Sequence, residues 1–307
     1  MTQNYIGVDL SKDWLDIFDP RTGHVRVPNT APRIRTWLRD LGPGDLPVLE
    51  ATSGCDGHIL REAGCANRPV CRLNPLHAWH FAQSLNLPKT DRVDAAMLAR
   101  LGAERGLAPS APLDAERAEL AELGGRRDQL KRMETQEKNR LGKAVSSTVR
   151  ADIRASLRLL ARRIARIEAA IAGFLKRHPE SARAVALLET IPGVGRVASV
   201  TLIAAMPELG GCDRRAIASL GGLAPKARES GKWRGHRAVG AGRRRVRRAL
   251  YMAALSALRH GSFCAGFVRG LRDRGKPGKV IAIAVARKLL TVANAILRDQ
   301  TPFKAPT

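Results

Sequence analysis

The chain has 307 residues and carries 53 Lys and Arg against 28 Asp and Glu, a net charge of +25 at neutral pH. That excess excludes an ordinary neutral metabolic enzyme as the starting point and indicates a polyanionic partner, of which nucleic acid is the commonest. An apolar share of 44% excludes a disordered chain, and the length leaves room for two or three domains with their own cores.

The first segment, 1–110, is nearly neutral at +1 and reads as α/β. Tyr5–Leu10, Trp14–Phe18 and His24–Pro28 are short apolar runs, the last two separated by the turn signal Pro20-Arg-Thr-Gly23. Together they predict an antiparallel meander. Helical spacing follows over Ile34–Leu41, then a strand over Leu46–Glu50. A helix over Gly54–Gly64 turns Ile59, Leu60 and Ala63 inward. Val70–Leu73 is a last short strand, and Thr90–Arg105 is an Ala- and Leu-rich helix.

The second segment, 111–185, carries +7. Ile153, Leu157, Leu160, Ile164, Ile167, Ile171 and Phe174 alternate four and three residues apart, a heptad seam. Leu120, Leu123, Leu130, Met133 and Leu141 give a weaker version upstream, and Ser146-Ser-Thr148 is the expected break. The pattern predicts a coiled-coil helical hairpin; two ordinary core helices are the alternative.

The third segment, 186–307, carries +17 and reads as all-α. Ile191-Pro-Gly-Val-Gly195 between two helical stretches has a helix–hairpin–helix pattern. Gly193 and Gly195 would let backbone N–H groups approach a phosphate; a plain Gly-rich connector fits as well. A helix around Arg214–Leu220, a Gly- and Pro-rich loop over 221–242 and a helix opening on Arg243, Arg244, Arg245, Arg247 and Arg248 follow. In this basic surroundings those arginines are expected to meet phosphates. The stretch Val280–Leu297 is interrupted by Arg287 and Lys288, so it is not expected to span a membrane. The first residues lack a signal-peptide pattern. Five cysteines, odd in number and without a Cys-x-x-Cys pair, fit free thiols. Cytoplasmic location beside the nucleoid is the expectation.

Four carboxylates stand where chemistry could be done. Asp9 ends the first strand, Glu50 ends the fourth, and Asp91 and Asp94 share one face of a helix start. Converging carboxylates call for a cation, and an all-oxygen set selects a hard one, Mg²⁺ or Mn²⁺. Asp91 as an N-cap with Asp94 one turn on would suit the helix dipole equally. Asp13, Asp16 and Asp19 read as turn and strand-surface acids. A second candidate is Ser230, which has Arg228, Lys232, Arg234, His236 and Arg237 near it in sequence and Gly231 beside it. A hydroxyl needs such cations, and a base, to act as a nucleophile on phosphate.

The ordered set Ile6-Gly-Val-Asp-Leu-Ser-Lys12, Glu50-Ala-Thr-Ser-Gly54, Lys89-Thr-Asp-Arg-Val-Asp-Ala-Ala-Met-Leu-Ala99, Ile191-Pro-Gly-Val-Gly195, Leu223-Ala-Pro225, Glu229-Ser-Gly-Lys232 and Arg247-Arg-Ala-Leu-Tyr-Met-Ala-Ala254 resembles the DEDD transposases of the insertion-sequence one-ten family. Gly275-Lys-Pro277 and Ala284-Val-Ala-Arg-Lys288 extend the likeness over nearly the whole chain. The resemblance implies a RuvC-like (RNase H-fold) domain over 1–110, a coiled coil over 111–185 and a helical transposase domain over 186–307. It implies a DNA recombinase that cuts and rejoins through a phosphoserine. Asp9, Glu50, Asp91 and Asp94 match the metal-binding set and Ser230 the nucleophile. DNA as donor and target, a structured guide RNA from the element, and a homo-oligomer with a composite site are the implied partners. Two other classes stay open: a metal-only nuclease or junction resolvase in which Ser230 is a bystander, and a non-catalytic nucleic-acid-binding protein. An actin-like ATPase, suggested by Ile6–Ser11, lacks a second phosphate loop.

Overall fold

The computed structural model describes residues 3–51, 55–85, 90–110, 114–226, 229–230, 233–234, 238–240, 242–261 and 264–304. The chain forms two compact units, Met1–Ala115 and Glu116–Thr307.

In the first unit β1 (Asn4–Leu10), β2 (Trp14–Asp19) and β3 (Gly23–Pro28) form the meander expected from their alternating apolar residues. Then come α1 (Ala31–Asp40), β4 (Asp45–Glu50), α2 (Gly57–Cys65), β5 (Cys71–Leu73), α3 (Pro75–Leu85) and α4 (Asp91–Arg105). The sheet order is β3-β2-β1-β4-β5. β1 is antiparallel to β2 and parallel to β4, and β4 is parallel to β5. Strand periodicity divides the side chains between two cores. Ile6, Val8, Leu10, Leu15 and Ile17 pack with Ile34, Leu38, Ile59 and Leu60. On the other face Leu46, Val48, Cys71 and Leu73 pack with Phe81, Met97, Leu98 and Leu101. Gly7 lets α4 lie directly on β1, because a β-carbon there would collide with the Ala95 carbonyl oxygen. The helix α3 has no counterpart in the sequence reading. Leu76 and Trp79 are half exposed and only Ala78 and Phe81 are buried, so its apolar period is blurred.

The second unit opens with α5 (Ala115–Lys143) and α6 (Ser147–Arg177), which form an antiparallel hairpin. Ser146 is the N-cap residue of α6, at the break expected there. Arg150 closes the turn by donating to the carbonyls of Leu141 and Ala144. Arg127–Glu168 at 2.7 Å and Arg177–Glu119 at 3.0 Å tie the two helices further along. Leu130 packs on Leu160 and Ile164 between them. At the open end Leu120, Ile171, Phe174 and Leu175 join the core of the remaining helices, α7 (Pro179–Glu189), α8 (Arg196–Ala205), α9 (Arg214–Leu220), α10 (Arg244–Arg259), α11 (Ala265–Asp273) and α12 (Gly278–Asp299). The apolar α12 is long enough to cross a membrane by length and composition. In this fold it is the core helix, with Val285, Ala286, Leu289, Leu290 and Ala293 fully buried. Between α9 and α10 the loop expected over 221–242 holds four two-residue strands, β6 (Pro225–Lys226), β7 (Glu229–Ser230), β8 (Trp233–Arg234) and β9 (Ala238–Val239).

Candidate active site and nucleic-acid interface

The sheet register sets Asp9 beside Glu50 in sequence along adjacent strands, and the charges of Asp91 and Asp94 reach Asp9. Val8 pairs with Leu49 across the parallel β1–β4 ladder, so Asp9 and Glu50 are the next pair along. Tyr5, Gly7 and Asp9 share one face of β1, the face that α4 covers, and Leu46, Val48 and Glu50 share it on β4. Asp91 and Asp94 occupy the first turn of α4, which crosses that face. Thr90, not Asp91, is the N-cap residue: its hydroxyl accepts a hydrogen bond from the Val93 N–H at 3.3 Å. That leaves the Asp91 carboxylate for other contacts. Asp9 feels the crowding. Burial, then the charges of Asp94 and Asp91, raise its carboxyl from 3.8 to about 6, against the lowering effect of a backbone hydrogen bond from Leu10.

Asp16 also belongs to this group. It stands directly opposite Asp9 in the β1–β2 pairing and is only 2% exposed, so it is not the strand-surface acid the sequence suggested. Arg26 on β3 holds it with Nε 3.0 Å from Oδ1 and Nη2 2.9 Å from Oδ2. The same Nη2 reaches Asp91 Oδ2 at 3.3 Å, tying α4 to the sheet. His24 Nε2 lies 3.0 Å from Asp16 Oδ1 but lacks hydrogen-bond geometry. The signal was present in the sequence. Asp9 and Asp16 flank a tight turn symmetrically, and Leu15 and Ile17 claim the opposite face. Among the described residues no three His, Cys, Asp or Glu side chains stand close enough together to hold a metal ion as placed. The donor chemistry nonetheless suits a hard cation: the set is all carboxylate, and burial, then the charges of Asp94 and Asp91, hold the Asp9 carboxyl above its ordinary value.

Ser230 lies on a two-tier hairpin. The outer tier pairs β6 with β9 (Pro225 with Val239) and the inner tier pairs β7 with β8, where Ser230 is opposite Trp233. Ser230 is therefore the last paired residue before the connecting residues 231–232. The hairpin is pinched at its base. Gly222 and Gly242 both have positive φ (67° and 58°), and a β-carbon on Gly242 would collide with the Gly222 nitrogen. The Arg243 N–H donates to the Leu220 carbonyl at 2.9 Å across this neck. Arg228, Lys232, His236 and Arg237 lie outside the described residues, and Arg234 is on β8.

The arginine row opening α10 is largely engaged inside the protein. Arg243 forms a two-pronged pair with Glu208, at 2.6 and 2.7 Å. Arg245 and Arg248 both bind Asp128 on α5, at 3.2 and 2.7 Å, and Arg245 also donates to the Ala121 carbonyl. Gly124 makes room for Arg245, since a β-carbon there would collide with its guanidinium. Arg247 points to the Gly222 carbonyl at 3.5 Å. Arg244 is exposed. In the α7–α8 turn Gly193 has φ of 88° and packs against α10, where an added β-carbon would stand 2.7 Å from the Ala253 oxygen. Gly195 is the N-cap residue of α8 and faces open space.

Two transposase family descriptions match this chain. The first, described as Transposase, covers residues 6–149, and the second, the Transposase IS116/IS110/IS902 family, covers residues 185–267. The pilin gene-inverting protein of Moraxella bovis is 32% identical over 99% of this chain and 98% of its own length. The chain belongs to the IS110 family of transposases. The pilin gene-inverting protein of Moraxella lacunata is similar at 31% identity, with the same coverage. A 43.6 kDa protein of insertion element IS110 from Streptomyces coelicolor is 30% identical over 45% of this chain and 34% of its own length. The activity of this IS110-family protein is accordingly that of a DNA transposase or recombinase. The DEDD family implies a divalent cation and a DNA substrate.

Proposed function

We propose that this transposase cuts and rejoins DNA through a phosphoserine ester on Ser230, assisted by the carboxylates Asp9, Glu50, Asp91 and Asp94. The observation that supports this reading is the charge of Asp94 and Asp91 acting on the buried Asp9, raised to about 6, with Glu50 at the end of the strand that pairs with β1. The mixed sheet order supports a RuvC-like reading of the first unit. The acids would hold Mg²⁺ or Mn²⁺, which when bound supplies positive charge for the scissile phosphate.

Ser230 Oγ attacks phosphorus as its proton passes to a base. The Oγ–P bond forms, the bond from phosphorus to the leaving sugar oxygen breaks, and that oxygen takes a proton. Reversal by another sugar hydroxyl rejoins the strand and frees Ser230, so the bond energy is conserved and no nucleotide cofactor is consumed. The backbone pairing of Ser230 with Trp233 on a short ladder, in the segment that Gly222 and Gly242 pinch together, supports this role. A structured RNA from the element guides the reaction in this reading, and a homo-oligomer combines acids and serine.

A serine nucleophile leaves a protein–DNA adduct and a metal-activated water does not. With a nicked suicide substrate that blocks rejoining, the adduct is expected on denaturing gels and Ser230→Ala removes it while DNA binding persists. Asp9→Asn lowers adduct formation, and Ser219→Ala leaves it unchanged. Free 5′-phosphate ends without attached peptide, from an active preparation, would defeat the serine mechanism and select a metal-only nuclease.

A further inference from the structure

The helix α6 presents a surface that no part of the recombination chemistry above uses. Its buried residues Ile153, Leu160, Ile164 and Ile171 lie along one side of the helix. Arg154, Arg158, Arg162 and Arg166 repeat every four residues. At 100° per residue this row drifts only about 40° per step and is centred within about 20° of the direction opposite the buried side. All four are exposed, and the residues sharing that arc, Ala151, Ala155, Ala165, Ala169 and Ala172, are exposed alanines. The two acids of the helix, Asp152 and Glu168, fall outside the arc, and Glu168 is taken by Arg127.

Stacked like charges four residues apart destabilise a helix. The partner helix α5 avoids this cost: Glu134 sits between Lys131 and Lys138, and Glu137 pairs with Arg140. The α6 row has no such neutralisation by carboxylates among the described ion pairs. An Arg and Ala surface that is flat, exposed and free of acid on its own face is complementary to a regular polyanion. A second copy of the same face would be repelled, which excludes homotypic packing there.

The geometry points to α6 as a rail for the phosphate backbone of duplex DNA. The row from Arg154 to Arg166 is about 18 Å long at 1.5 Å per residue. Along that length of its axis a duplex carries about ten phosphates, both strands counted, and those that face the row are the ones it can meet. The short alanines allow the backbone to approach while each guanidinium spans to a phosphate oxygen. The inference rests on this chain acting on DNA and not on the serine chemistry. It also assigns nucleic-acid binding to a helix whose sequence pattern suggested a coiled-coil hairpin, while much of the α10 arginine row is engaged in internal pairs.

The test is the salt dependence of binding to a labelled duplex DNA of arbitrary sequence by the full-length protein. The variant R154Q/R158Q/R162Q/R166Q should lose about 3.6 from the magnitude of the log–log slope, about 0.9 for each phosphate no longer neutralised. Between about 50 and 200 mM salt that share corresponds to a change of about two orders of magnitude in affinity. The quadruple Arg→Lys variant should keep the wild-type slope with the same helicity by circular dichroism. A control, R33Q/R39Q/R61Q/R105Q, removes the same charge from exposed positions of the first unit. A slope change no larger than the control's would overturn the rail. Loss confined to an RNA duplex, with DNA binding intact, would overturn the choice of DNA. Ser230→Ala should bind with the full slope, so failure of the adduct experiment and failure of the rail are told apart.

Discussion

Asp9 is where the site's charge balance can be read directly. Its carboxyl titrates near 6 when folded against 3.8 in an ordinary setting. Below about pH 4 both states are protonated and the crowding costs little. Between about 4 and 6 the unfolded chain gives up the proton first, so stability falls as pH rises and stays lowered above 6. Asp9→Asn removes that ionisation. In EDTA it should raise the melting temperature at pH 8 and leave it unchanged at pH 4; an equal rise at both values would assign the effect to packing. Mg²⁺ should stabilise the wild-type protein at pH 8 and the Asn variant much less. Arg26 is the complementary case. It neutralises the buried Asp16 and holds Asp91 at the same time. Arg26→Gln should cost about 1–3 kcal/mol, the penalty for leaving a buried acceptor unsatisfied, since Asp16 keeps little water to turn to. A loss of adduct formation larger than the stability change explains would show that Asp91 needs its tether. Arg26→Lys keeps the charge without the fork and should recover stability more than positioning.

At the scale of elements, two glycines in one turn separate packing from binding. Gly193 is held at φ of 88° with α10 against it, whereas Gly195 is extended and open. Gly193→Ala should therefore destabilise the protein by about 2 kcal/mol or more, combining backbone strain with overpacking. Gly195→Ala should cost about 1 kcal/mol or less through the cap alone. Equal effects in thermal melts would contradict the close approach to α10. Arg245→Gln should lower the melting temperature, because it leaves Asp128 with Arg248 only, and Arg244→Gln should not. The elements themselves were legible where periodicity was strong. The three-stranded meander, β4, α4 and the α5–α6 hairpin follow from alternation, from helical spacing and from a serine break. The short strands around Ser230 were not legible, because two residues per strand carry no period, and α3 was hidden by exposed Leu76 and Trp79. For the site, the four acids could be placed at strand and helix ends, since apolar runs terminate there. Asp16 was missed because its burial depends on the β2–β3 pairing to Arg26, and the internal use of the α10 arginines depends on Asp128 and Glu208, remote in sequence.

At the scale of the whole molecule, charge and core are partitioned the same way. Residues 1–110 carry +1 while the remaining segments carry nearly all of the excess. The first unit has its own buried clusters, around Ile6 and around Val48, and the second has a large one around Phe174 and Leu289. Units with separate cores unfold as separate cooperative blocks unless a large apolar interface couples them. Calorimetry of the full chain should then resolve two transitions, and each ligand should act on one of them, because a ligand stabilises only the block that binds it. Asp9→Asn and Mg²⁺ should shift the transition of the carboxylate unit. Gly193→Ala should lower the other, and duplex DNA at low salt should raise it, with the DNA shift shrinking as salt increases. If both Asp9→Asn and Gly193→Ala move a single transition, the two units unfold as one block. The four acids would then be stabilised through the basic helices, and the DNA rail on α6 would act on the carboxylate site by the same thermodynamic linkage.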